Sequence, residues 1–254
     1  MKLKIQSKKI KGKYIYGEVA KTKNSTTLIV FLSGLSGNDA SDLTRNASDV
    51  FVESGFDTLK LNFCNDDNKK NRKAGALEIY EMSLSLYVAE LKNILDTVAK
   101  TYVSIIFVAH SFGAPIAISF LNKYPKYKTE IHLTLWDPSL LPWGKEVVQE
   151  VFAFNPTKKL FYQKETENPL VINKTFYTEL LGTKNTAHLL RGLGRNVIII
   201  AAEKGAQSDA RSYFSKISNK KASRFFVIKR ADHLFTTKRA QKELLSRTLD
   251  FLKR

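Results

Sequence analysis

Two hydrophobic patterns alternate along this chain. Continuous apolar runs of strand length recur at "TLIVFLSG" (27–34), "VSIIFVAH" (103–110), "EIHLTLWD" (130–137) and "NVIIIAAE" (196–203). Such runs predict strands buried on both faces. "FDTLKLNF" (56–63) and "RFFVIKR" (224–230) read as further strands, and "KLKIQSK" and "YIYGEVAK" near the start alternate as half-exposed ones. The intervening stretches carry helical spacing. Residues 39–54 place Leu43, Ala47, Val50 and Phe51 on one side, and Gly55 ends them. Residues 77–100 carry a stripe of Leu84, Val88, Leu91, Leu95 and Val98. A third helix follows residue 110 and stops before Pro125, and a basic helix with Leu245, Leu249 and Leu252 on one side closes the chain. Strands alternating with helices predict an α/β fold, with a mostly parallel central sheet covered by helices on both faces.

One interval breaks the rhythm. Residues 138–195, about 58 positions, separate two strands that an ordinary crossover joins with far fewer. They include Trp143, Phe152, Phe154, Phe161, Tyr162, Phe176 and Tyr177, too aromatic for a disordered segment. The expectation is a small cap formed by 138–195 on a core domain of 1–137 and 196–254. Some of its aromatic side chains are expected to line an apolar pocket over the strand ends. The most loop-like stretch is "CNDDNKKNRKAG" (64–75).

Composition narrows the class. At 254 residues with 43% hydrophobic and 26% charged positions, the chain is long enough for one well-buried core. Cys64 is the single cysteine, which excludes an intrachain disulfide and a cysteine-built metal site. The basic start "MKLKIQSKKIKGK" lacks the apolar segment of a secretory signal, and no apolar run reaches membrane-span length. A cytoplasmic location is therefore expected. The formal net charge of +17 is mostly lysine, spread along the chain with no zinc-finger or RNA-binding aromatic signature. It reads as solvated surface rather than as a specific nucleic-acid site; an anion-binding module is the corresponding minor alternative.

The candidate chemistry sits in "IIFVAHSFGAPIA" (105–117). A buried strand turns there directly into a helix at Ser111, with small residues two before (Ala109) and two after (Gly113). Strand and helix backbones nearly touch at such a corner, so small residues are required, and the serine hydroxyl is thrust outward. Strand carboxyl ends are where a parallel sheet carries its reactive groups. Pro115 costs little in a first helical turn. The competing structural role is a helix-capping serine.

This pattern resembles the nucleophile elbow of the α/β-hydrolase superfamily, G-x-S-x-G, with Ala109 in place of the first glycine. Two further motifs agree in order. Ser33-Gly34-Leu35-Ser36-Gly37 follows the strand at 27–32, where the family usually carries His-Gly, and "FFVIKRADHLF" resembles its last strand followed by the histidine. The resemblance covers roughly residues 25–137 and 196–254 and is nearest to hydrolases related to monoacylglycerol lipases and serine aminopeptidases. It departs at "CNDDN" (64–68), where many relatives have a Gly-x-Gly-x-Ser turn. It implies an α/β-hydrolase fold with Ser111 as nucleophile, His233 as general base, and the backbone N–H groups of Leu35 and Phe112 as the oxyanion hole. His110 is read as packing of the elbow, His132 as a strand residue and His188 as part of the cap.

The acid stays open between candidates. The family's usual position past the penultimate strand falls on Gly205 in "AAEKGAQSDA". Asp209 lies nearby, where a helix start offers it a capping role, and Glu203 is a third possibility. Some members carry the acid one strand earlier, which here is Asp137 in "LTLWDPSLLPW" and is the first choice. The implied reaction is hydrolysis of a small-molecule carboxylic ester through an acyl-enzyme, needing no metal or organic cofactor. A thioesterase or peptidase of the same fold is a neighbouring alternative, and a catalytically silent binding scaffold is another.

Overall fold

The computed structural model describes residues 1–35, 42–65, 72–129, 131–166, 169–182, 185–192 and 197–253. Its centre is an eight-stranded sheet. The strands are β1 (Lys2–Gln6), β2 (Tyr14–Ala20), β3 (Thr27–Leu32), β4 (Asp57–Asn62), β5 (Ser104–His110), β6 (Ile131–Trp136), β7 (Val197–Lys204) and β8 (Arg224–Asp232). They lie in the order β1-β2-β4-β3-β5-β6-β7-β8. β1 and β2 pair antiparallel with each other, and β2 pairs antiparallel with β4. From β4 across to β8 all neighbours are parallel. The half-exposed alternation of the first two strands thus marks the antiparallel edge, and the continuous apolar runs mark the buried centre.

Successive residues of the central strands feed two separate cores. On one side Ile29 and Phe31 of β3, Ile106 and Val108 of β5, and Ile198 and Ile200 of β7 pack with α1 (Asp42–Glu53) and the terminal helix. On the other, Leu28, Val30, Leu32, Phe107 and Ile199 pack with α2 (Leu84–Val98), α3 (Gly113–Lys123) and α4 (Gln207–Lys216). The terminal helix is α5 (Lys238–Leu252). Trp136, fully buried, is fixed there by its indole N–H donating to Thr248 Oγ1 at 3.0 Å.

The helix expected over 77–100 covers only its hydrophobic stripe, Leu84–Val98. Leu77–Glu78 pair with Cys64–Asn65 as a short parallel ladder, and Ser83 caps α2 by accepting the N–H of Leu86 at 3.2 Å. The loop expected over 64–75 therefore begins as strand; its residues 66–71 lie outside the described ones.

Between β6 and β7 the chain forms helices Lys145–Val151, Lys174–Gly182 and Thr186–Leu189, plus a small antiparallel sheet of Phe152–Asn155, Leu160–Gln163 and Val171–Ile172. Among the polar contacts that fasten this segment to the core are those of Glu179 and Asn173. Glu179 accepts the Leu84 N–H at 2.6 Å at the start of α2, where a carboxylate is favoured by the helix dipole. Asn173 donates to the carbonyls of Tyr80 and Met82, both at 2.9 Å. Between them, Phe176 is fully buried with its ring 5.4 Å from that of Phe112. Residues 193–196, at the end of the segment, lie outside the described ones.

Candidate active site

Ser111 lies between the last residue of β5 and the first of α3, with φ at +51°. A non-glycine residue in this left-handed region is held there by its surroundings. Here its N–H donates to the Trp136 carbonyl at 3.1 Å, and its own carbonyl accepts from Ala114 and Ser139, each at 3.1 Å. Gly113 makes the corner possible: a Cβ on it would stand 2.0 Å from the Leu32 carbonyl oxygen. The requirement for a small residue two after the serine is thus a contact between α3 and β3.

Asp137 and His233 reach Ser111 from the carboxyl ends of β6 and β8. His233 Nε2 is 2.8 Å from Ser111 Oγ, and its Nδ1 is 2.6 Å from Asp137 Oδ2. Asp137 follows β6 directly and has no solvent exposure. Its Oδ1 accepts from the Ala202 N–H and its Oδ2 from the Ala206 N–H, both at 2.8 Å, so the buried carboxylate is fully partnered. With Nδ1–H donating to Asp137, Nε2 presents its lone pair to the Ser111 hydroxyl.

The other candidates stand apart from this chain of bonds. Asp209, the alternative acid, accepts the Leu140 N–H at 2.9 Å instead of contacting His233. Burial, reinforced by the neighbouring Asp137 charge, raises its carboxyl above the usual range. It lies inside the first turn of α4, whose capping position is Ala206. Glu203 pairs with Lys229 at 2.9 Å and accepts the Arg230 N–H at 2.8 Å. His132 and His188 are exposed, on β6 and on the helix Thr186–Leu189. His110 packs against the elbow: its Nε2–H donates to the His233 carbonyl at 2.8 Å, and the two rings lie 5.0 Å apart. Burial pushes its pKa down to about 4, which keeps the ring neutral beside His233.

Gly34 approaches the serine so closely that a Cβ on it would lie 3.2 Å from Ser111 Cβ. The N–H of Leu35 follows directly, and that of Phe112 opens α3. Neither donates to a backbone or side-chain acceptor among the described residues. Ser36 and Gly37, the rest of that motif, lie outside the described residues. Beside Ser111 opens a cavity of about 480 Å³, on the α1 and α5 side of the strand ends. Leu32, Leu35, Leu43, Val108, Trp136 and Leu234 give it apolar walls. None of the described lining residues of this cavity comes from 138–195, and Phe176 of that segment turns onto Phe112 and Tyr87.

Ser139 is the site residue that pattern reading missed. Its Oγ is 3.1 Å from Ser111 Oγ. No sequence signal separates it from any other serine after an Asp-Pro turn; only the position of Asp137 two residues earlier points to it.

Residues 22–141 match the family model described as "Putative serine esterase (DUF676)". No curated protein sequence matches the chain. Among solved structures, Est1E from Butyrivibrio proteoclasticus with ferulic acid bound is similar over 99% of this chain and 100% of its own, at 12% identity and a TM-score of 0.77. The α/β hydrolase GrgF from Penicillium sp. sh18 is similar over 100% and 98%, at 12% identity and a TM-score of 0.75. Mouse α/β hydrolase domain-containing protein 10 is similar over 100% and 98%, at 14% identity and 0.71.

Proposed function

We propose that this chain, an α/β-hydrolase by its fold, is a serine hydrolase that cleaves small carboxylic esters through an acyl-enzyme on Ser111. One observation carries the reading: Ser111, His233 and Asp137 form a single hydrogen-bonded chain at the carboxyl ends of β5, β8 and β6, with Ser111 in the strained corner. The matching description of residues 22–141 supports the same class.

The chemistry follows from the bonds. The Ser111 O–H breaks as Oγ bonds to the acyl carbon, and the proton passes to His233 Nε2. Asp137, bonded to Nδ1, fixes the tautomer and stabilises the imidazolium. The carbonyl oxygen, now negative, is met by the N–H groups of Leu35 and Phe112, each worth about 3–4 kcal/mol in comparable sites. Collapse of the tetrahedral species breaks the carbon–oxygen bond to the leaving alcohol, which takes the His233 proton. Water then attacks the acyl-enzyme with His233 again as base, and Ser111 Oγ leaves as the protonated hydroxyl.

We read the cavity of about 480 Å³ as the seat of the ester's apolar part. We read 138–195 as a cap that braces Phe112 on a core of 1–137 and 196–254. The test is turnover of p-nitrophenyl butyrate and octanoate beside the matching thioesters and aminoacyl p-nitroanilides. Methyl ferulate belongs in the panel because ferulic acid is bound in the B. proteoclasticus structure. Ester turnover that Ser111→Ala abolishes is expected. Faster cleavage of the anilides would overturn the esterase reading, and no turnover of any substrate would favour a binding scaffold.

A further inference from the structure

We infer that the Ser139 hydroxyl is a positioning group for the nucleophile, holding Ser111 Oγ on His233 by donating a hydrogen bond to it; this rests on the proposed role of Ser111. The direction of the bond follows from proton counting. His233 commits Nδ1–H to Asp137, so its bare Nε2 takes the single proton of the Ser111 hydroxyl. The 3.1 Å contact between the two serine oxygens then has only one donor left, the Ser139 O–H.

The main chain of Ser139 is fixed without help from its side chain. Its N–H donates to the Ser111 carbonyl at 3.1 Å, and its carbonyl accepts the Tyr213 hydroxyl at 2.8 Å. That tyrosine is fully buried, and its hydroxyl is paired in turn with Thr186 Oγ1 at 2.6 Å. Pro138 stiffens the chain just before it. The short turn 137–139 therefore meets both ends of the Ser111–His233 pair, with the Asp137 carboxylate at the imidazole and the Ser139 hydroxyl at the nucleophile. A donor on Oγ selects one side-chain rotamer in the free enzyme. It also steadies negative charge as the proton departs towards His233. Once Oγ is an ester oxygen it is a poorer acceptor, so the bond favours attack over the acylated state.

A hydroxyl suits this place in both protonation states of the base. When His233 is protonated, Nε2–H donates to Ser111 Oγ, and the Ser111 proton turns to Ser139 Oγ as acceptor. Alanine offers neither role, whereas threonine offers both.

The experiment compares wild type, Ser139→Ala and Ser139→Thr in three measurements: acylation by p-nitrophenyl butyrate in the pre-steady state, inactivation by a fluorophosphonate, and thermal unfolding. Ser139→Ala is expected to slow acylation and inactivation about five- to tenfold, the scale of one lost hydrogen bond. The ester's dissociation constant before acylation and Tm should stay at wild-type values, because both main-chain bonds of residue 139 remain. Ser139→Thr should recover most of the rate. Unchanged acylation in Ser139→Ala, a loss carried by that dissociation constant, or equal loss in both variants would overturn the inference. A wild-type enzyme that neither turns over esters nor reacts with the fluorophosphonate would overturn the esterase reading beneath it.

Discussion

Gly205 and Asp137 occupy one volume. A Cβ on Gly205 would lie 2.0 Å from Asp137 Oδ2, so a side chain after β7 and the carboxylate arriving from β6 exclude each other. That exclusion gives a physical reason for a glycine where the resemblance expects an acid. It also separates the two aspartates. Asp137→Asn replaces a fully partnered carboxylate oxygen by an amide and frees His233 to take the wrong tautomer, so kcat should fall by about 10³–10⁴. Asp209→Asn, which removes a charge but keeps an amide oxygen to accept the Leu140 N–H, should leave kcat nearly intact. Steady-state kinetics of the pair checks this, and a larger loss in Asp209→Asn would reverse the assignment. His110 gives a second prediction at this scale. Its folded pKa of about 4 lies below the ordinary 6.5, so the unfolded chain takes up a proton that the folded one refuses between those values. Its contribution to stability is complete above pH 6.5 and is lost as the pH falls towards 4. His110→Gln lacks that component while keeping a donor for the His233 carbonyl. Its Tm should therefore fall less than the wild-type Tm between pH 7 and pH 4.5; parallel curves would contradict the account.

Among the elements, the junction of β5, β3 and α3 brings two backbones into close approach at the site. Gly113→Ala would drive a methyl into the Leu32 carbonyl, and α3 would have to lift from β3 to relieve it. A loss of about 3 kcal/mol or more in unfolding free energy is expected, measurable by urea titration, and a change below about 0.5 kcal/mol would contradict the close packing. These central elements were legible in the sequence for a simple reason. β3, β5 and β7 are buried on both faces, so their apolar runs are unbroken, and the corner at Ser111 needs small residues that mark it. Boundaries set by partners distant in sequence were not legible. The stripe from Leu84 to Val98 continues upstream as apolar character that belongs instead to the ladder of Leu77–Glu78 with Cys64–Asn65. Asp137 could be proposed from its place at a strand end, but its preference over Asp209 depends on the Ala202 and Ala206 N–H groups, which no local pattern displays.

Over the whole molecule, the two cores divide the labour of the site. The α2, α3 and α4 face carries Phe112 and described residues of 138–192 such as Phe176 and Leu180, whereas the α1 and α5 face carries the cavity. The aromatic content of 138–195 suggested a pocket wall. Phe176 packs on Phe112, and the described walls of the cavity beside Ser111 include Leu43 and Trp136, residues that the sequence marks only as core. Leu43→Trp should therefore fill part of the cavity and lower kcat/KM for the octanoate ester about tenfold more than for the acetate ester. An equal effect on both esters would place the acyl chain elsewhere. If Ser111 is the nucleophile and His233 its base, covalent labelling reads both at once. Wild-type protein treated with a fluorophosphonate, digested and sequenced by mass spectrometry should carry one adduct, on Ser111, with labelling lost in both Ser111→Ala and His233→Ala. An adduct on another residue, or labelling that survives in Ser111→Ala, would contradict the account.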